Sequence, residues 1–154
     1  MKRTESPEAQ LEGFLAKFAP EIAALARAAL VKMRKRLPGA VEMVYDNYNA
    51  LVIGFVPGER PSDVIFSIAF YPRWVNLFFA HGKGLRDPER LLKGSGSRVR
   101  SIVLTSAGTL DDPAVEDLIA EALERAVVPF DFTRKRKLMI RAVAEKQRPR
   151  RPAK

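Results

Sequence analysis

After Gly39 the helical spacing of apolar residues gives way to short apolar runs rich in valine, isoleucine and phenylalanine. The runs cover residues 41–46, 50–56, 64–70, 74–80 and 99–104, and this succession constrains the fold more than any other feature. Asn47-Tyr48-Asn49 separates the first pair, Pro57-Gly58-Glu59-Arg60-Pro61 the second and Tyr71-Pro72-Arg73 the third. Such short connections cannot carry a crossover, so they join antiparallel neighbours. The first four runs are therefore expected to form an antiparallel meander.

What flanks the meander is helical. Ser6-Pro7-Glu8 supplies a capping hydroxyl, a proline for the first helical position and an acid for the first turn; Leu11, Phe14, Leu15 and Phe18 follow at helical spacing. Pro20-Glu21 restarts the pattern through Ile22, Leu25, Ala29 and Met33, and Lys32, Arg34, Lys35 and Arg36 close it before Leu37-Pro38-Gly39. Asp87-Pro88-Glu89 reads as one helical turn. Asp111-Asp112-Pro113 caps a last helix with Val115, Leu118, Ile119, Ala122 and Leu123 on one face. The expected fold is α+β: two N-terminal helices, a five-stranded mainly antiparallel sheet, a C-terminal helix packed on the sheet, and a basic tail. The domain is expected to span residues 1–132. In the tail, 133–154, a short helix over residues 133–146 brings Leu138, Met139, Ala142 and Val143 together, and RPRRPAK is disordered.

The net charge of +9 is concentrated in that tail. Residues 134–154 hold ten Lys or Arg and one acid, leaving 17 basic and 17 acidic residues before them, so a neutral domain carries a cationic extension. With no cysteine there is no disulfide, thiolate site or thiol nucleophile, and with one histidine, His81, a catalytic triad has a single candidate base. The first residues, MKRTESPEAQLEG, lack a signal peptide's apolar stretch, and no run approaches the roughly 20 apolar residues of a membrane span. A cytoplasmic, non-enzymatic, monomeric or weakly associating protein is expected, with no membrane partner.

One string is distinctive. Trp74-Val75-Asn76-Leu77-Phe78-Phe79 is followed by Gly82-x-x-Leu85-x-Asp87-Pro88-x-x-Leu91-Leu92-x-Gly94-x-Gly96-x-x-x-Arg100. With VYDNYNALVIGF, it resembles the YdhG-like family, a bacterial domain of unknown function. The similarity runs from about Leu11 to Val127 and leaves the tail outside. The resemblance implies a small α+β fold, no established catalytic residues and, because some members are described as frataxin-like iron chaperones, iron as a candidate ligand. Physically the string is architectural. Its glycines come before a strand, whereas a phosphate cradle needs them leading into a helix N-terminus.

Three groups of residues are candidates for binding. Asp112, Glu116, Asp117, Glu121 and Glu124 on the last helix are hard-oxygen donors that suit a loosely held metal such as iron, although frataxin ridges lie on the first helix and adjacent strand; they equally suit a solvated helix face. Tyr45, Asn47, Tyr48, Trp74, Asn76 and His81 lie near strand ends and could line a small-ligand pocket with an apolar wall and polar tips. Arg134, Lys135, Arg136, Lys137, Arg141, Arg148, Arg150 and Arg151 in the tail suit nonspecific contact with nucleic-acid phosphates, without base stacking. A further expectation, from complementary charge alone, is that the tail folds onto the acidic last helix. Metal or small-ligand binding and a nucleic-acid-associated accessory role are thus the two readings the sequence carries.

Overall fold

A computed structural model describes residues 5–152. Helices α1 (Pro7–Leu15) and α2 (Pro20–Arg36) precede β1 (Val41–Asp46), β2 (Leu51–Val56), β3 (Phe66–Phe70), β4 (Val75–Phe79) and β5 (Arg100–Val103); helix α3 (Pro113–Glu124) and a last strand, β6 (Lys137–Val143), follow. The α+β class is as expected, and β1 to β5 form the antiparallel meander. The sheet has six strands rather than five, in the order β5-β4-β3-β2-β1-β6. It is mixed, because β6 pairs with β1 in parallel.

The helix starts obey local rules. Ser6 Oγ accepts the Ala9 N–H at 3.1 Å, and the Asp112 carboxylate accepts the Ala114 N–H at 2.9 Å, each ahead of a proline at the first helical position. All three helices lie on one face of the sheet. Leu11, Leu15, Ala26, Met33, Leu118 and Ile119 share a core with the inward residues of every strand, from Val44 and Ile53 to Ile68, Leu77, Ile102 and Leu138. On the opposite face Val41, Met43 and Val56 form a smaller cluster with Tyr45, Val64 and Met139.

The segment expected as a helix over 133–146 is instead the edge strand β6. Leu138 and Ile140 point into the main core, and Met139 turns to the opposite cluster, which is the alternation of a strand. The backbone decides the outcome: β1 presents a free edge, and its ladder satisfies amides that a short isolated helix would hold weakly. The sheet therefore extends past residue 132. Arg150, expected in a disordered stretch, is 4% exposed; residues 153–154 of that stretch lie outside those described. The single helical turn at 87–92 does not form either. Both Asp87 oxygens accept backbone amides, from Leu91 and Leu92 at 2.8 Å, and Arg90 has a φ of 54°, which breaks the helix. Of the two loop glycines ahead of β5, Gly94 has a positive φ (128°) and Gly96 does not.

Candidate nucleic-acid interface

Strand β1 carries two carboxylates on its core-facing side, Glu42 and Asp46, and both are buried. Buried charge requires a partner. Glu42 receives Arg34 from α2 through Nε at 2.9 Å and Nη2 at 2.8 Å, with Arg136 Nη1 at 3.3 Å. Asp46 accepts Arg150 Nη2 at 2.8 Å, and the same guanidinium donates to the carbonyls of Asn47 and Tyr48 while lying 5.8 Å from the Phe18 ring. Tail arginines thus neutralise the inward acids of β1. The tail does not fold onto α3: just before it Asp111 pairs with Lys32, and on it Glu116 pairs with Arg36 and Glu121 with Arg86 and Arg125.

Other tail cations are anchored by the same docking. Arg134 donates to the Pro57 carbonyl, Lys137 Nζ meets Glu59 at 3.1 Å, and Arg151 Nε donates to the Lys17 carbonyl at 3.2 Å. The Arg148 N–H donates to the Tyr48 carbonyl at 2.8 Å, and its guanidinium lies 5.7 Å from the Tyr48 ring. Among the described residues Lys135 and Arg141 are exposed and make no ion pair.

Docking of the tail creates a groove. Arg148, Pro149, Arg151 and Pro152 form one wall; Asn49 and the β3–β4 turn, Tyr71-Pro72-Arg73-Trp74, form the other, around a volume of 690 Å³. Within it Tyr71 and Trp74 stack with ring centroids 4.7 Å apart and planes 18° from parallel. Trp74 remains 44% exposed and Tyr48, nearby in sequence to Asn49, 51%. Aromatic faces open to solvent beside three arginines suit a ligand that is both planar and anionic.

The six aromatic and polar residues expected to line one pocket do not meet. Trp74 lines this groove, while Tyr45 borders a smaller cleft of 200 Å³ on the opposite sheet face with Met43, Val64 and Ser67. Asn76 is half-buried there, its Oδ1 without a partner, Asn47 and Tyr48 are exposed in the β1–β2 turn, and His81 edges a separate cavity. The grouping fails because strand ends close in sequence space are distributed over both faces and both ends of the sheet.

The acids of α3 are likewise dispersed or engaged. Asp112 caps the helix, Glu116 faces Arg36 at 3.3 Å, and Asp117 and Glu124 are exposed. Glu121 is buried; the Arg86 N–H at 2.9 Å, with Arg125 and Arg86 beside it, holds its carboxyl below the usual glutamate range against the opposing effect of desolvation. Among the described residues no three histidine, aspartate or glutamate side chains converge as metal ligands do. No helix among them is long and apolar enough to cross a membrane. No protein-family model matches the chain, and no curated protein or solved structure shows significant similarity to it.

Proposed function

We propose that this protein is a non-enzymatic, nucleic-acid-associated accessory domain that engages single strands through the groove between its C-terminal segment and the β3–β4 turn. The observation that carries this reading is the Tyr71–Trp74 stack, its Trp74 ring open to solvent, flanked by Arg73, Arg148 and Arg151. Unpaired bases stack on aromatic faces with little regard to sequence, and arginines beside them meet the phosphates. A duplex hides its base faces, so the groove favours single strands. An iron role, as the YdhG-like resemblance implies, would require Asp112, Glu116 and Glu121 to leave their cap and arginine partners, and so gains less support from the geometry.

Titration of the whole chain with a fluorescein-labelled oligothymidylate, read by anisotropy and by quenching of Trp74, tests the reading. Trp74 is the sole tryptophan, so its signal reports the groove directly. The expected result is quenching on binding, loss of about 1–3 kcal/mol of affinity in Trp74→Ala, and a shallower salt dependence in Arg148→Ala/Arg151→Ala, by about 1.4 in log–log slope for two phosphate contacts. Binding without quenching, unaffected by Trp74→Ala, would reject the groove as the site.

A further inference from the structure

A second cavity lies away from the arginine groove, where the C-terminal end of α3 meets the end of β4. It encloses 390 Å³, within the size range of small-molecule sites. Ile65 and Phe79, both buried core residues, face into it, and Leu85, Ala122 and Ala126 border it. Val127, 97% exposed, and Val128, 41% exposed, stand at its rim, so apolar surface continues from the floor out to solvent. Water held against such a lining finds few hydrogen-bond partners, and an apolar body displaces it favourably.

Polar groups are confined to the edge: Ser62, Asp63, His81 and Arg125. Glu121 is shared by two guanidiniums, Arg125 at 2.7 Å and Arg86 at 3.6 Å, and also takes the Arg86 amide, so Arg125 spends only one edge on it. Asp63 meets a cation, Arg60, only at 4.0 Å. Position 84 makes room for the cation, since a Cβ there would come within 2.9 Å of Arg125 Nη1. Glycine thus allows the guanidinium to lie at the rim with Nη2 on Glu121 and its other N–H groups free. Ser62 and His81 make no side-chain hydrogen bond among the described residues, so a hydroxyl and an imidazole on the same cavity lining are available to a ligand.

We propose that this cavity binds a small apolar monocarboxylate, with a branched or aryl body against Ile65 and Phe79 and the carboxylate at Arg125, His81 and Ser62. A guanidinium matches a carboxylate through paired N–H donors. Asp63 on the same rim opposes a second negative charge, so a dicarboxylate is disfavoured. The site is independent of the nucleic-acid reading and shares no residue with that groove.

The probe is 3-phenylpropanoate, titrated into the full chain by calorimetry and by amide chemical shifts, with 3-phenylpropan-1-ol as the neutral counterpart. Saturable binding is expected, with shifts confined to residues 61–65, 79–85 and 121–128, and the alcohol should bind about tenfold more weakly for want of the charge-assisted hydrogen bonds. Arg125→Gln should erase the preference for the acid. Ala126→Leu should fill the slot and abolish binding of both probes, while Trp74→Ala leaves binding unchanged. Equal affinity for acid and alcohol, no saturable binding in the millimolar range, shifts mapping elsewhere, or full binding by folded Ala126→Leu would each overturn the proposal.

Discussion

Arg150 stands only four residues before the C-terminal residue, yet its replacement by alanine should be among the most damaging single changes in the chain. The guanidinium is 4% exposed and Asp46 1% exposed. It donates at 2.8 Å to the carboxylate and also to two backbone carbonyls of the β1–β2 turn. Arg150→Ala leaves Asp46 buried, with Lys17 Nζ at 4.0 Å as its remaining cation. Removing one partner of a buried pair costs about 3–5 kcal/mol. The terminal segment can lift to admit water, but lifting forfeits the Ala144, Gln147 and Arg148 hydrogen bonds to the same turn, so the relief is partial. A net loss of about 3 kcal/mol is expected, which in a chain of this length lowers Tm by about 9 °C. Asp46→Asn should cost less, because the amide oxygen still accepts from Arg150. The double variant should be no worse than Arg150→Ala, with a coupling of about 1–3 kcal/mol between the sites. Urea denaturation of the four proteins measures the cycle. A wild-type midpoint in Arg150→Ala, or strict additivity in the double variant, would show that the C-terminal segment is not docked and refute the argument.

Three more outcomes are expected. Arg34→Met strands the fully buried Glu42 carboxylate with Arg136 alone and should destabilise by about 3 kcal/mol, whereas Glu42→Met removes the buried charge and leaves half-buried arginines that can reach water, so it should cost less; denaturant midpoints compare them. Gly39→Ala should lose at least about 2 kcal/mol, since φ is +85° and a Cβ would collide with the carbonyl oxygens of Asp131 and Arg134, the latter at 2.7 Å; a thermal melt unchanged by it would contradict the turn that launches β1. Glu121 titrates below its ordinary value when folded, chiefly through the Arg86 amide, so its stabilisation is complete above the unfolded-state pKa and disappears as pH falls through the folded one. Glu121→Gln should therefore flatten the acid limb of the stability–pH curve, and an unaltered limb would show that the carboxylate is not held.

Much of the frame was legible because its causes are local. Ser6 and Asp112 each precede a proline and cap a helix two or three residues on, and the β1–β4 meander follows from short apolar runs joined by turns too short to cross over. The Asp87 turn was misread because a capping aspartate and a helix-free turn share the same sequence, and only the geometry shows both carboxylate oxygens spent on Leu91 and Leu92. KLMIRAV is ambiguous in a similar way: Leu138, Met139, Ala142 and Val143 fit one helical face, while Leu138 and Ile140 fit one side of a strand.

Sequence alone determined the α+β class, the helix starts, the antiparallel order of the first four strands and the separation of a neutral body from a cationic end. Tertiary structure decided what that end does. A parallel pairing is closed by a long excursion rather than by a turn, so nothing near residues 137–143 in the chain announces β1 as their partner. The arginines read as surplus charge because the acids they neutralise, Glu42 and Asp46, lie about ninety to a hundred residues earlier, and the aromatic wall that Arg148 and Arg151 face comes from a distant turn. Local composition reports how much charge a segment carries; only the fold determines which of those charges are buried as partners and which are left to meet a ligand.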